Sequence, residues 1–213
     1  MKRMLFCLAL SVCPGAGGIR QAPVAPIALI TQFQSEPSPA IREALQAELA
    51  AIMQPIGLHF DWRALSPTEN AAAVELVVVS FKGRCDVDGL VPASVMPGAL
   101  GWTHISNGAV LPFSDVDCDA VRGFLQEGLL GYPVEAREAM YGRALARVLA
   151  HELYHVVART TEHGECGIGK SGFTVADLLA RGFAFQASEL RKLVSSHTYK
   201  VLERAAADSS SLP

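Results

Sequence analysis

The sequence predicts an α+β domain. Strand-like runs gather in the first half of the chain, and helical periodicity takes over after Asp115. The bulk numbers agree: 213 residues, half of them hydrophobic and 18% charged, suffice for one well-buried core, and this length favours one domain over two. The formal net charge of −3 is spread along the chain without a basic stripe, so nucleic acid is not an expected partner.

The chain opens with a basic pair, Lys2-Arg3, an apolar run from Met4 to Val12, and the small or breaking residues Cys13-Pro14-Gly15-Ala16-Gly17-Gly18. That order reads as an export signal over residues 1–20. The run is shorter than the roughly 20 residues a bilayer span needs. Cys13, following Leu10-Ser11-Val12, is a weak match to a lipid-anchored N-terminus, because Val12 is large for the position before such a cysteine. The mature chain is therefore expected to be secreted or periplasmic.

Residues 21–39, rich in Pro, Ser and Gln, are expected to form an extended arm; Ile27-Ala28-Leu29-Ile30-Thr31 is either a first short strand or part of that arm. Ile41, Leu45, Leu49 and Ile52 recur at helical spacing and predict an amphipathic helix over 40–53, stopped by Pro55 and Gly57. Residues 58–63 alternate as a strand does. The β-branched run within 73–82 suits a central, doubly buried strand. Residues 98–106 and 109–113 flank Asn107-Gly108, a strong hairpin signal. Helices are then predicted over 116–126, 133–157, 174–185 and 188–207, with a flexible tail at 208–213.

In an oxidising compartment, Cys85 and Cys118, each beside aspartates, are expected to pair, which leaves Cys166 alone. Asp86, Asp88, Asp115, Asp117 and Asp119 lack the ligand order of a calcium loop and read as a solvated acidic surface. Trp62 and Trp102 read as core residues, and His104 as a structural strand residue.

Chemistry concentrates in His151-Glu152-Leu153-Tyr154-His155. Two histidines four apart in a helix share one face, one turn apart, and can grip one Zn²⁺ through imidazole nitrogens. Glu152 points beside that face, where a general base can take a proton from a water activated by the metal. The surrounding Ala, Val and Leu bury this helix, and three polar groups buried without partners would cost several kcal/mol. A third ligand is needed for a catalytic site. His163 leads; Glu162, Glu165, Cys166, Asp177 and Glu189 are the alternatives.

The pentapeptide followed by a further histidine after a turn resembles the zincin peptidases, and within them the metzincins. Gly98-Ala99-Leu100-Gly101-Trp102-Thr103 is similar to the edge strand that precedes the zinc helix in that family and pairs with extended substrate. The passage from Leu100-Gly101-Trp102-Thr103-His104 to Asp117-Cys118, with the zinc helix, also resembles a group of secreted bacterial zincin-like proteins. The resemblance implies a zincin-like domain over 40–207. Its sheet would be small and mixed, with an active-site helix and C-terminal helices. It further implies one zinc per chain, a monomer, and a peptide or protein substrate hydrolysed with Glu152 as general base. Two features depart from the metzincin pattern. Ala158 stands where a turn glycine is expected, with eight rather than six residues from His155 to His163, and no methionine follows Met140 to form the turn beneath the metal. Gly167-Ile168-Gly169 is expected to turn there instead. The alternative function is a non-catalytic zinc-stabilised binding domain, which would close the site with a fourth protein ligand.

Overall fold

Alternating burial along the strands shows how the molecule is layered. The computed structural model describes residues 24–64, 73–93 and 98–210. The expected export signal, Cys13 and the last three residues lie outside the described residues. In chain order the elements are β1 (Ile27–Ser35), α1 (Pro39–Met53), β2 (Phe60–Ala64), β3 (Glu75–Arg84), β4 (Gly101–Ser106), β5 (Ala109–Asp117), α2 (Cys118–Leu129), α3 (Val134–Ala158), α4 (Val175–Leu179), α5 (Ala187–Ser195) and α6 (His197–Ser210). This is an α+β arrangement with one mixed five-stranded sheet in the order β2-β1-β3-β5-β4. The first four strands run parallel, and β4 lies antiparallel to β5 at the edge.

The stretch from Val24 to Ser38 is not an arm. β1 pairs with β2 on one side and β3 on the other, and Ile27, Ala28 and Leu29 are buried. Its apolar run is short, so its central place comes from neighbours distant in sequence. Parallel pairing of β1 with β2 needs a crossover, and α1 supplies it. Ser38 caps that helix by accepting from the Ile41 N–H at 3.3 Å.

β3 is central, as expected, but only one of its faces is fully buried. Val77, Val79 and Phe81 are buried, while Leu76 on the opposite face is 42% exposed. The covered face carries Leu29 and Val116 beside them in register and packs against the helices. Asn107 and Gly108 both take positive φ (50° and 77°), so the β4–β5 hairpin turns where the sequence puts it. α1 crosses closely over α3 at Gly142, where a Cβ would lie 2.5 Å from the Ile41 carbonyl oxygen.

Two helical expectations change. The stretch expected to be helical over 174–185 holds only the five-residue α4, begun by a reciprocal Thr174–Asp177 cap and ended where Ala180 becomes extended. The long C-terminal helix breaks at Ser196, which is extended and whose hydroxyl accepts from the Tyr199 N–H at 3.0 Å. That serine caps α6, which continues through Ser210 into the expected tail. Cys85 and Cys118 form the expected disulfide and join the end of β3 to the start of α2. Both halves are buried despite their acidic flanks.

Candidate metal centre

α3 is buried along most of its length from Tyr141 to Val157, and its last two turns carry His151, Glu152 and His155. It ends where the sequence suggested: Arg159 adopts the left-handed conformation (φ 50°), and the Thr160 N–H bonds back to the His155 carbonyl at 3.1 Å. The chain then loops back over the helix and brings His163 against both other imidazoles. Its ring stacks on His151 with centroids 5.2 Å apart and meets His155 edge-on at 4.8 Å. One nitrogen of each of the three lies within 4.8 Å of those of the others, so the cluster could hold a metal ion. His151 and His155 are buried and His163 is exposed.

The hydrogen bonds set the tautomers. The His151 Nδ1 lies 2.7 Å from the Ile168 carbonyl oxygen, and the His155 Nδ1 lies 2.7 Å from the Thr160 carbonyl oxygen. Carbonyls only accept, so both Nδ1 atoms carry the proton and both Nε2 atoms present bare lone pairs. Those two Nε2 atoms are 3.0 Å apart. Two lone pairs facing at that distance repel unless a cation lies between or beside them, which is how carbonyl-anchored imidazoles hold a metal. Burial also holds the imidazoles neutral. It pushes the His151 pKa down to about 4, opposed by the Ile168 carbonyl and aided by the two neighbouring histidines. It lowers that of His155 in the same way.

Glu152 sits beside this pair, 4% exposed. The Thr103 hydroxyl donates to its Oε2 at 2.8 Å. Ser114 Oγ lies 3.0 Å from Thr103 Oγ1, and since the Thr103 proton is committed to the carboxylate, Ser114 is the donor there. Gly101 leaves the space the carboxylate occupies: a Cβ there would lie 3.1 Å from Oε1. Burial raises the Glu152 pKa to about 7, against the lowering effect of Thr103. Gly101 and Thr103 were legible as edge-strand residues, but their contact with Glu152 was not. It depends on which face of β4 turns toward α3.

The five alternative ligands are placed elsewhere. Glu162 pairs with Lys192 at 2.6 Å, Asp177 pairs with Lys170 at 2.6 Å, and neither Glu165, Cys166 nor Glu189 joins the histidine group. The Gly167-Ile168-Gly169 stretch does turn, with Gly167 at φ 73°. It delivers the carbonyl that anchors His151, a role the sequence did not reveal. The histidines and Glu152 line a cleft of about 480 Å³ whose other walls include Leu100, Phe124, Val148 and Phe173. Trp102 also lines this cleft, with Lys82 Nζ 4.6 Å from its ring centre, so it is not a core residue. Trp62 packs against the core as expected.

His104 serves the strand rather than the cleft. Its Nε2 lies 2.7 Å from Asp115 Oδ2. Asp115 is itself buried and also pairs with Lys82, so it is no part of a solvated acidic surface. Asp86 and Asp119 pair with Arg122, and Asp117 caps α2. No family model matches this chain, and no curated protein matches it.

Proposed function

We propose that this chain is an exported zinc-dependent endopeptidase of the zincin type, with His151, His155 and His163 holding one Zn²⁺ and Glu152 acting as general base. The observation that carries the reading is the pair of buried, carbonyl-anchored imidazoles with bare Nε2 atoms 3.0 Å apart and a third histidine closing on them. A three-histidine set is a donor set suited to zinc. The position of β4 at the sheet edge, running past Glu152 along the cleft, supports the likeness to metzincins and recognition of an extended peptide by strand addition.

When bound, zinc would polarise the scissile carbonyl and activate water for attack on it. The chain's own residues handle the proton. Thr103 occupies Oε2 of Glu152, so Oε1 is the atom that accepts the proton of the attacking water and passes it to the leaving nitrogen. Leu100, Phe124, Val148 and Phe173 keep the cleft walls apolar and limit water around the reacting groups.

The Lys2-Arg3 start and the apolar run behind it support export, and the Cys85–Cys118 disulfide accords with an oxidising compartment. Among the described residues no helix is long and apolar enough to cross a membrane.

The test is metal content and turnover measured on the same purified protein. One zinc per chain, together with cleavage of a peptide library that Glu152→Gln abolishes, is the expected result. A wild-type chain that takes up no zinc when it is supplied would sink the reading. Zinc uptake without any peptide cleavage would favour the non-catalytic zinc-stabilised domain.

A further inference from the structure

We propose that Glu189 is the positioning residue for the third histidine, and that α5 clamps the loop on which His163 rides. The inference rests on the metal reading above. His151 and His155 take their direction from a buried helix, but His163 lies on an irregular loop between α3 and α4. A metal ligand must be held to within about 0.5 Å, so something outside the loop has to hold it.

Glu189 is 3% exposed and plays no part in the proposed proton transfer. Its Oε2 accepts from the Gln186 N–H at 2.8 Å, and its Oε1 accepts from the Ser188 hydroxyl at 2.8 Å. Those bonds cap the start of α5. They do not account for what faces the carboxyl on the other side. A Cβ on Gly164 would lie 2.3 Å from Glu189 Oε1, and one on Gly169 would lie 2.5 Å from its Cγ. The two glycines are joined by a bond from the Gly164 N–H to the Gly169 carbonyl at 2.7 Å. The Glu189 side chain therefore fills the floor beneath the closed end of the loop, and both glycines lack the side chain that would displace it. A helix cap needs no such cradle; a brace does.

Both sequence neighbours of His163 touch α5. Gly164 rests on Glu189, and Glu162 pairs with Lys192 one turn further along the helix. The Glu162–Lys192 pair is exposed and contributes little by itself. The buried contact is the one that sets where His163 stands. Glu189, an alternative ligand on sequence grounds, thus acts on the metal centre through the backbone of the loop.

The experiment measures Zn²⁺ affinity by chelator competition, and the absorption bands of the Co²⁺-loaded protein, on the full chain. Glu189→Ala is expected to weaken zinc roughly ten- to a hundredfold, as loss of outer supporting groups does, and to alter the cobalt bands while circular dichroism stays unchanged. Glu189→Gln keeps the length and an accepting oxygen and should bind zinc nearly as wild type does. Gly164→Ala should weaken zinc as well, and the double variant Gly164→Ala/Glu189→Ala should be no weaker than Gly164→Ala alone, because the carboxyl it collides with is gone. Wild-type affinity and unchanged cobalt bands in a folded Glu189→Ala chain overturn the proposal. If that variant does not fold, wild-type affinity in Gly164→Ala overturns it instead. A wild-type chain that binds no zinc overturns the metal reading and this inference with it, an outcome distinct from either.

Discussion

In the proposed reaction, Glu152 is the residue on which both chemistry and pH dependence turn. In Glu152→Gln the zinc content should be unchanged, since the side chain is no ligand, while peptide turnover should fall by about 10²–10⁴-fold. The same substitution isolates a stability effect. Above its ordinary value of 4.5 the unfolded carboxyl ionises, whereas the folded one keeps its proton to about 7. Its stabilising contribution is thus complete below 4.5 and is lost as pH rises through 7, on the order of 3 kcal/mol in the metal-free chain. His151 runs the other way. With its folded pKa lowered to about 4, its contribution is complete above 6.5 and is lost as pH falls through 4. The two nearly offset between those values, so the whole-protein profile hides both. Denaturant unfolding of metal-free wild type and Glu152→Gln, compared at pH ~4.5 and pH ~8, should show the variant gaining about 3 kcal/mol relative to wild type. A constant difference would mean the carboxylate is not held in a low-dielectric site.

At the scale of elements, α3 is both a core helix and the carrier of the candidate site, so its packing governs the proposed metal centre. Gly142 is where α1 crosses it: a Cβ added there would meet the Ile41 carbonyl oxygen at 2.5 Å and the Ala44 Cβ at 2.8 Å. Gly142→Ala should therefore cost about 1–3 kcal/mol by overpacking, although alanine favours helix by itself. Equilibrium unfolding at fixed zinc would check the sign; a stabilised variant would show that α1 can move aside. The β3–α2 junction is stapled by a disulfide that closes a sequence separation of 33. Removing it through Cys85→Ser with Cys118→Ser should cost ~3–4 kcal/mol on the chain-entropy account, and thermal unfolding measures this directly. Zinc content should survive wherever the fold does, because both cysteines lie outside the histidine cluster.

Over the whole molecule, a metal held at the proposed site would be linked to the fold by mass action. A ligand that binds only the folded chain adds about 2.7 kcal/mol at a concentration a hundredfold above Kd. For a chain of this size that should raise Tm by roughly 5–10 °C. Scanning with zinc and then with excess chelator should show that difference in wild type and a smaller one in His163→Ala. A Tm indifferent to zinc would mean that the histidine cluster holds no metal in solution.

Much of this site is legible directly in the amino acids. The His151–His155 spacing on a helix flanked by Ala, Val and Leu is a local matter, because one turn of helix places two side chains on one face whatever surrounds it. The Asn107-Gly108 hairpin is legible for the same reason: its turn chemistry lies within two residues. Elements that depend on partners far along the chain are not. β1 reads locally as either a short strand or part of an arm, because four apolar residues gain strand identity only when β2 and β3 flank them. The helix predicted over 188–207 breaks because Ser196 can cap a new helix as well as sit in an old one, and packing decides between them. Helical periodicity is a property of the chain, so the amino acids alone assign two of the three histidines and the candidate base to α3. Tertiary contacts were needed to bring His163, rather than any of its five rivals, against the other two imidazoles, to put Thr103 on Glu152, and to lay Glu189 beneath the loop. Those contacts join residues as many as 49 positions apart, whose meeting depends on sheet register and loop path rather than on local spacing.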